Sequence, residues 1–277
     1  SLGHNRKISE EGVRFQSHID GSYHQFTPEG AVQMQRSIGA DIMMAFDECP
    51  PYPSSYPYAE QSMELTHRWL DRCLEAFHGS KPLYGYDQAL FPILQGGTYR
   101  DLRARSAAFT AERAVDGIAI GGLSVGEPAE LMNEITGYLH QMLPERLPRY
   151  LMGVGLPVNL LESIHHGVDL FDCVLPSRNA RHGMVYTANG ILNIKNQKWE
   201  RDFRPLNETP LSHLDYTYSR AYIRHLFQTN EALGPQITTL QNLVFYQWLM
   251  QAARQHLQQG DFVEWKNHLI PYLTRRL

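Results

Sequence analysis

The sequence predicts an α/β fold built on parallel strands, and three observations carry that prediction. Five short apolar runs, at 41–46, 89–95, 116–122, 149–155 and 169–175, recur along the first two thirds of the chain. Helical patterns separate them, at roughly 57–78, 99–113, 128–142 and 157–167. Strands alternating with helices imply right-handed βαβ crossovers and hence a parallel sheet. Composition agrees with a globular chain: of 277 residues, 43% are hydrophobic and 19% charged.

The elements follow in order. "VRFQSHIDGSYHQFT" reads as a hairpin, with Asp20-Gly21 supplying the turn. Thr27 can cap the next helix, and Pro28 suits its first turn. The five strand–helix units come next. "LFDCVLPSRNARHG" (170–183) opens as a buried strand holding one carboxylate, Asp172, and closes as a basic loop with Arg178 and Arg181. "MVYTANGILNIKN" forms a second hairpin turning at Asn189-Gly190. Helices at about 218–230 and 238–259 make a C-terminal helical subdomain, for which "LVFYQWLM" supplies apolar packing. The boundary is placed at 204/205, giving a first domain of 1–204 and a second of 205–277.

No apolar run reaches the ~18 residues of a membrane span, and no signal-peptide pattern opens the sequence, so no membrane partner is expected. Three widely spaced cysteines (Cys49, Cys73, Cys173) argue for a reducing, cytoplasmic setting over a disulfide framework. The net charge of −4 gives no global nucleic-acid signature. Between 178 and 204, however, Arg178, Arg181, Lys195, Lys198, Arg201 and Arg204 face only Glu200 and Asp202, a local basic patch. The thirteen histidines show no metal-ligand spacing, and no cofactor is expected.

The strand ends concentrate the chemistry. They carry Asp47-Glu48-Cys49, Gln95-Gly96-Gly97, Gly121-Gly122-Leu123, Met152-Gly153 and Asp172. Ligand sites of parallel α/β folds form at carboxyl ends of strands. Glycines let a flat ligand approach the backbone, and Asp and Gln suit the donor–acceptor edge of a purine-like base. By spacing alone Gln95 suits a loop backbone as well as a ligand, Met152 suits core filling, and Cys49 and Cys173 suit buried small hydrophobes.

In this order, "FDECPPYP", "ILQGG", "IGGLSVGE", "RYLMGVG" and "LFDCVLPSRNARHG" resemble bacterial tRNA-guanine transglycosylases. The resemblance extends to "RKISEEGVRFQSHIDGS" and "YSRAYIRHLF" and covers nearly the whole chain. That family exchanges guanine at the first anticodon position of certain tRNAs for a queuosine precursor, 7-aminomethyl-7-deazaguanine. The resemblance implies that Asp172 is the nucleophile toward ribose C1′. It implies that Asp47 binds the Watson–Crick edge of the base and that Gln95 with the Gly122-Leu123 backbone reads the rest. The Leu123 carbonyl and Glu127 would receive the aminomethyl group. Met152 would form an apolar platform, with Cys49 beside it, and Arg178 and Arg181 would hold the tRNA anticodon loop. A homodimer is also implied.

Two departures accompany the resemblance. The family is a (β/α)8 barrel, whereas about five of eight strands are legible here, so an incomplete TIM-type barrel is expected. By the family pattern, roughly the first third lies outside this sequence, with the Asp-Ser-Gly-Gly segment that bears a general acid–base Asp. The family's zinc ligands, Cys-x-Cys-x-x-Cys and a later His, correspond here to Pro210, Ser212, Asp215 and Gln241, so no zinc is expected. The alternative reading is a non-catalytic tRNA-binding paralogue or partner subunit, or an inactive fragment.

Overall fold

The computed structural model describes residues 6–208 and 211–277. Strands β1 (Arg6–Ser9), β2 (Gly12–Gln16) and β3 (Tyr23–Phe26) form an antiparallel meander, so the expected hairpin gains a strand before it. The Thr27 hydroxyl accepts the Gly30 N–H and starts α1 (Pro28–Ile38) as expected. There follow β4 (Ile42–Met44), α2 (Tyr56–His78), β5 (Ala89–Phe91), β6 (Ile93–Leu94) and α3 (Arg100–Arg113). Next come β7 (Ile118–Ile120), α4 (Ala129–His140), β8 (Arg149–Leu151), α5 (Pro157–His165) and β9 (Leu170–Phe171). The remainder comprises α6 (Leu175–Arg181), β10 (Met184–Thr187), β11 (Gly190–Asn193), α7 (Leu214–Thr217), α8 (Arg220–Gln228), α9 (Leu233–Gln259) and α10 (Phe262–Thr274).

All five apolar runs form strands, but the second is split. Pro92 has no N–H to give a ladder. β5 therefore pairs in parallel with β4, and β6 with β7, while β8 continues the β6–β7 sheet. The two carbonyls flanking the break are both used: Phe91 O accepts Ala45 N–H at 3.0 Å, and Pro92 O accepts Ala119 N–H at 2.9 Å.

The chain divides into two compact units. The first holds 1–152 and 166–170; the second holds 153–165 and 171–277. This partition differs from the expected division at 204/205. α5 packs on α9 and α10 within the second unit, where Tyr246 donates to Gly155 O at 2.6 Å and Lys266 reaches Glu162 at 2.7 Å. The first unit's core gathers Val32, Met43, Leu70, Cys73 and Leu90. The second unit's core gathers Val185, Leu192, Trp199, Ile223 and Ile237, and α10, which the sequence reading leaves out, belongs to this unit.

The last apolar run needs correction. Only Leu170 and Phe171 are strand, Leu170 is exposed, and the basic loop is the helix α6. Pro176 in its first turn favours that helix start. No helix among the described residues is long and apolar enough to cross a membrane.

Candidate functional site

In the first unit, the ends of β4, β6 and β7 bring Asp47, Gln95 and Gly121-Gly122 together. Gln95 is fully buried; its backbone N–H donates to Ser106 Oγ at 3.1 Å, and its Nε2 donates to Asp47 Oδ2 at 2.6 Å. Its Oε1 accepts no hydrogen bond among the described residues. The Gln95 side chain lies directly on the glycine pair. A Cβ on Gly121 would meet Gln95 Nε2 at 2.6 Å, and one on Gly122 would meet Gln95 Oε1 at 2.3 Å. Only glycine admits this contact, and Gly122 also sits at φ +66°.

Asp47 is half-buried, and its carboxyl is pushed up to about 6. Removal from water is the main cause; the Gln95 hydrogen bond opposes it and the neighbouring Glu48 adds to it. Cys49 proves exposed rather than buried. Surrounding protein and then the Asp47 carboxylate push its thiol above the usual range, so it is a poor thiolate nucleophile. Glu127 accepts from the backbone N–H groups of Ser124 and of Val125, the latter at 3.0 Å, and so fixes the loop that follows the buried Leu123. Met152, at the end of β8, is half-buried, and its N–H donates to Ile120 O at 3.2 Å.

Sequence reasoning misses Arg103. This side chain is fully buried on α3, and its hydrogen-bond partners among the described residues are all carbonyls. Nε donates to Gly97 O at 2.6 Å, Nη1 to Leu94 O and Gly121 O at 3.3 and 2.8 Å, and Nη2 to Gly122 O at 3.1 Å. Burial pulls its pKa down to about 10, which leaves a cation at neutral pH. The available signal is helical spacing: Arg103, Ser106, Ala107 and Thr110 occupy one buried face of α3. Ser106 also meets His67 Nε2 at 3.0 Å, and burial pushes that imidazole down to about 4, so it is neutral.

The second unit holds Asp172, Arg178 and Arg181. Asp172 is not buried as the apolar run suggests. It is exposed, and its Oδ1 accepts the Gly153 N–H at 2.8 Å. With only two strand residues before it, the carboxylate leaves the sheet edge instead of entering a core. Cys173 is half-buried, and burial raises its thiol. Arg178 and Arg181 are both exposed, and neither side chain makes an ion pair among the described residues. Their helix is clamped from α9: Asn242 Nδ2 donates to Pro176 O and Met184 O at 2.9 and 3.0 Å, while its Oδ1 accepts Tyr186 N–H. Thr238 adds a bond to Ala180 O. Lys195, Lys198 and Arg201 are exposed in the same unit.

The positions expected to replace zinc ligands do not suit a metal. Pro210 lies outside the described residues. Asp215 is buried, and its oxygens accept Asn207 N and Nδ2, Leu211 N and Ser212 N at 3.0–3.3 Å. Ser212 Oγ is occupied by Leu214 N–H at 3.2 Å. Gln241 is fully buried, and neither amide atom has a hydrogen-bond partner among the described residues. Four backbone and amide donors around one carboxylate satisfy it without a cation. Among the described residues no group of three or more His, Cys, Asp or Glu is arranged to hold a metal.

Comparison with known proteins returned a match of residues 1–273 to the family model described as queuine tRNA-ribosyltransferase. A queuine tRNA-ribosyltransferase of Bacillus velezensis is 51% identical over 267 residues, 95% of this chain and 69% of its own length. One of Desulforamulus reducens is 50% identical over 270 residues, 98% of this chain and 71% of its own length. One of Bacillus subtilis is 49% identical over 267 residues, with 95% and 69% covered.

The Asp47 carboxyl is raised from 3.8 to about 6, so the native state holds a proton that the unfolded chain has lost. Stability from this group is full below about pH 4 and falls by about 2–3 kcal/mol as pH rises through about 6. Denaturation across that window should show this loss in the wild type and lose it in Asp47→Asn. For the loop at 207–217, Asp215→Ala should lower the unfolding free energy by about 3 kcal/mol or more, since several buried donors lose their acceptor. Elemental analysis should find substoichiometric zinc, and a chelator should leave the melting temperature unchanged. One zinc per chain, with a chelator-sensitive melt, would refute the metal-free reading.

Proposed function

We infer that this chain, which belongs to the queuine tRNA-ribosyltransferase family, is a tRNA-guanine transglycosylase, a pentosyltransferase of queuosine biosynthesis. The alternative of a non-catalytic tRNA-binding paralogue is not favoured, because about half of all residues are shared with enzymes so named across most of the chain.

The observation that carries the chemical assignment is Gln95, bonded to Asp47 and lying against two glycines that have no room for a side chain. An ionised Asp47 accepts two N–H groups from the Watson–Crick edge of guanine, and Gln95 and the Gly122 N–H donate to its carbonyl oxygen. The Leu123 carbonyl and Glu127 receive the aminomethyl group of the incoming 7-aminomethyl-7-deazaguanine. Met152 covers the face of the base, beside Cys49.

Asp172 attacks ribose C1′ of the anticodon nucleotide. A carboxylate oxygen–C1′ bond forms as the C1′–N9 bond breaks, and the base leaves with the bonding pair. The Gly153 N–H aims the carboxylate before attack. The incoming base then displaces Asp172 from C1′ and restores the N-glycosidic bond. Each base exchanges a proton with a general acid–base, and no Asp-Ser-Gly-Gly segment occurs in residues 1–277. Arg178 and Arg181 bind phosphates and uridines of the splayed anticodon loop.

The parallel strands support a (β/α)8-type barrel as the family architecture, of which this chain supplies part. A homodimer is supported by Phe203 and Tyr216, 79% and 81% exposed, beside the stacked rings of Tyr218 and Tyr222. A cytoplasmic setting is supported by three free cysteines.

Asp172→Asn should abolish the covalent RNA adduct seen on denaturing gels and lower exchange at least 1,000-fold, as an order of magnitude for a lost nucleophile. Binding of tRNA should stay within a fewfold of wild type; undiminished exchange would exclude Asp172 as nucleophile. Paired Arg178→Ala and Arg181→Ala changes should weaken tRNA binding and flatten its log–log salt dependence by about 0.7 per lost phosphate contact. An unchanged slope would place both arginines off the RNA.

A further inference from the structure

We propose that Arg103 is the positioning residue that sets the hydrogen-bond polarity of the base pocket, and with it the preference for a 6-oxo purine over a 6-amino purine. This rests on the assignment of the pocket to guanine.

A guanidinium buried without a carboxylate is expensive, by several kcal/mol, and packing at that point of α3 could be met by leucine or methionine. Arg103 is fully buried, and its donors reach four carbonyls at the ends of β6 and β7: Leu94, Gly97, Gly121 and Gly122.

Peptide geometry says what this accomplishes. In a trans peptide the C=O of one residue and the N–H of the next point in opposite directions. Arg103 holds Gly121 O at 2.8 Å, so the Gly122 N–H is turned away from α3. That amide faces the Cys49 thiol, on the side of Asp47. The hold on Gly122 O at 3.1 Å turns the Leu123 N–H away from the guanidinium in the same manner. A carbonyl bonded to a cation also polarises its peptide and strengthens the attached N–H as a donor.

The same helix fixes the second donor. Ser106, one turn after Arg103, accepts the Gln95 N–H, and Gln95 Nε2 points at Asp47. The wall therefore offers donors from Gly122 and Gln95 next to the Asp47 acceptor. Guanine presents the complement, a carbonyl oxygen beside two N–H groups. Adenine presents an amino group and a ring-nitrogen acceptor, which mismatch the wall at both points. Rotation of the Gly121–Gly122 peptide would exchange its donor for an acceptor. Arg103 prevents that rotation, and the absence of Cβ atoms means no side chain of either glycine can do so.

The test uses the full chain and its Arg103→Met and Arg103→Lys variants. Labelled-guanine exchange into tRNA gives KM for guanine and for tRNA separately, and adenine competition gives the base preference. In Arg103→Met, KM for guanine should rise at least tenfold, KM for tRNA should stay within twofold, and the guanine-over-adenine preference should shrink at least tenfold. Arg103→Lys should fall between the two, since an ammonium can hold some of the four carbonyls. If Arg103→Met does not fold, Arg103→Lys decides by the same ratio of the two KM values. An unchanged KM for guanine, or both KM values rising together with base preference intact, would overturn the proposal and reduce Arg103 to scaffold. Wild type that exchanges no guanine would overturn the functional reading and this proposal with it.

Discussion

The fully buried guanidinium of Arg103 organises the strand ends of the first unit. Where parallel strands end, their last carbonyls lose ladder partners and still need donors. The guanidinium of Arg103 meets this need at Gly97, Gly121 and Gly122 and adds a second bond to Leu94 O, which keeps its ladder partner, because five N–H groups in a rigid fork can reach several strand ends from one helix. A lysine would bring three donors on one nitrogen, and a neutral amide only two. Its pKa of about 10 keeps the cap charged through the neutral range despite burial. Glycines at 121 and 122 complete the arrangement, since Gln95 occupies the space their side chains would need.

The charge set against this cation is tuned in the other direction. Asp47 is pushed up to about 6 by loss of water, and Gln95 offsets only part of that. Beside it the Gln95 amide donates from its nitrogen to Asp47 and holds an oxygen that has no donor among the described residues. The Asp47 carboxylate already accepts from Gln95, and the Gln95 oxygen keeps its capacity for a further donor. A site built this way favours binding of a polar planar molecule over a closed apolar cavity.

The second unit works by a different division. Asn242 on α9 ties α6 and β10 through three backbone bonds, so that the helix carrying Arg178 and Arg181 is fixed while their side chains project into solvent. Asp215 plays a comparable part for the loop around it, gathering amide donors with a carboxylate where a metal would gather thiolates. In both places one buried polar side chain replaces what would otherwise be several separate contacts, and removing it strands its partners together.

Periodicity made the architecture legible. The alternation of short apolar runs and helical patterns, the Asp20-Gly21 hairpin, the Thr27 cap and the polar strand ends are local properties, and each is borne by residues a few positions apart. The placing of Asp47, Gln95 and Gly122 at strand ends was legible for the same reason, since they interrupt apolar runs. Other features depend on partners distant in sequence. Pro92 splits a run that hydropathy reads as continuous, because what matters is a missing N–H opposite another strand. Asp172 looks buried by its neighbours and is exposed, because its strand ends after two residues. Arg103 looks like any exposed helical arginine. Burial of charge is decided by what the remainder of the fold places around it, and the carbonyls that accept from Arg103 come from strand ends up to 19 residues away.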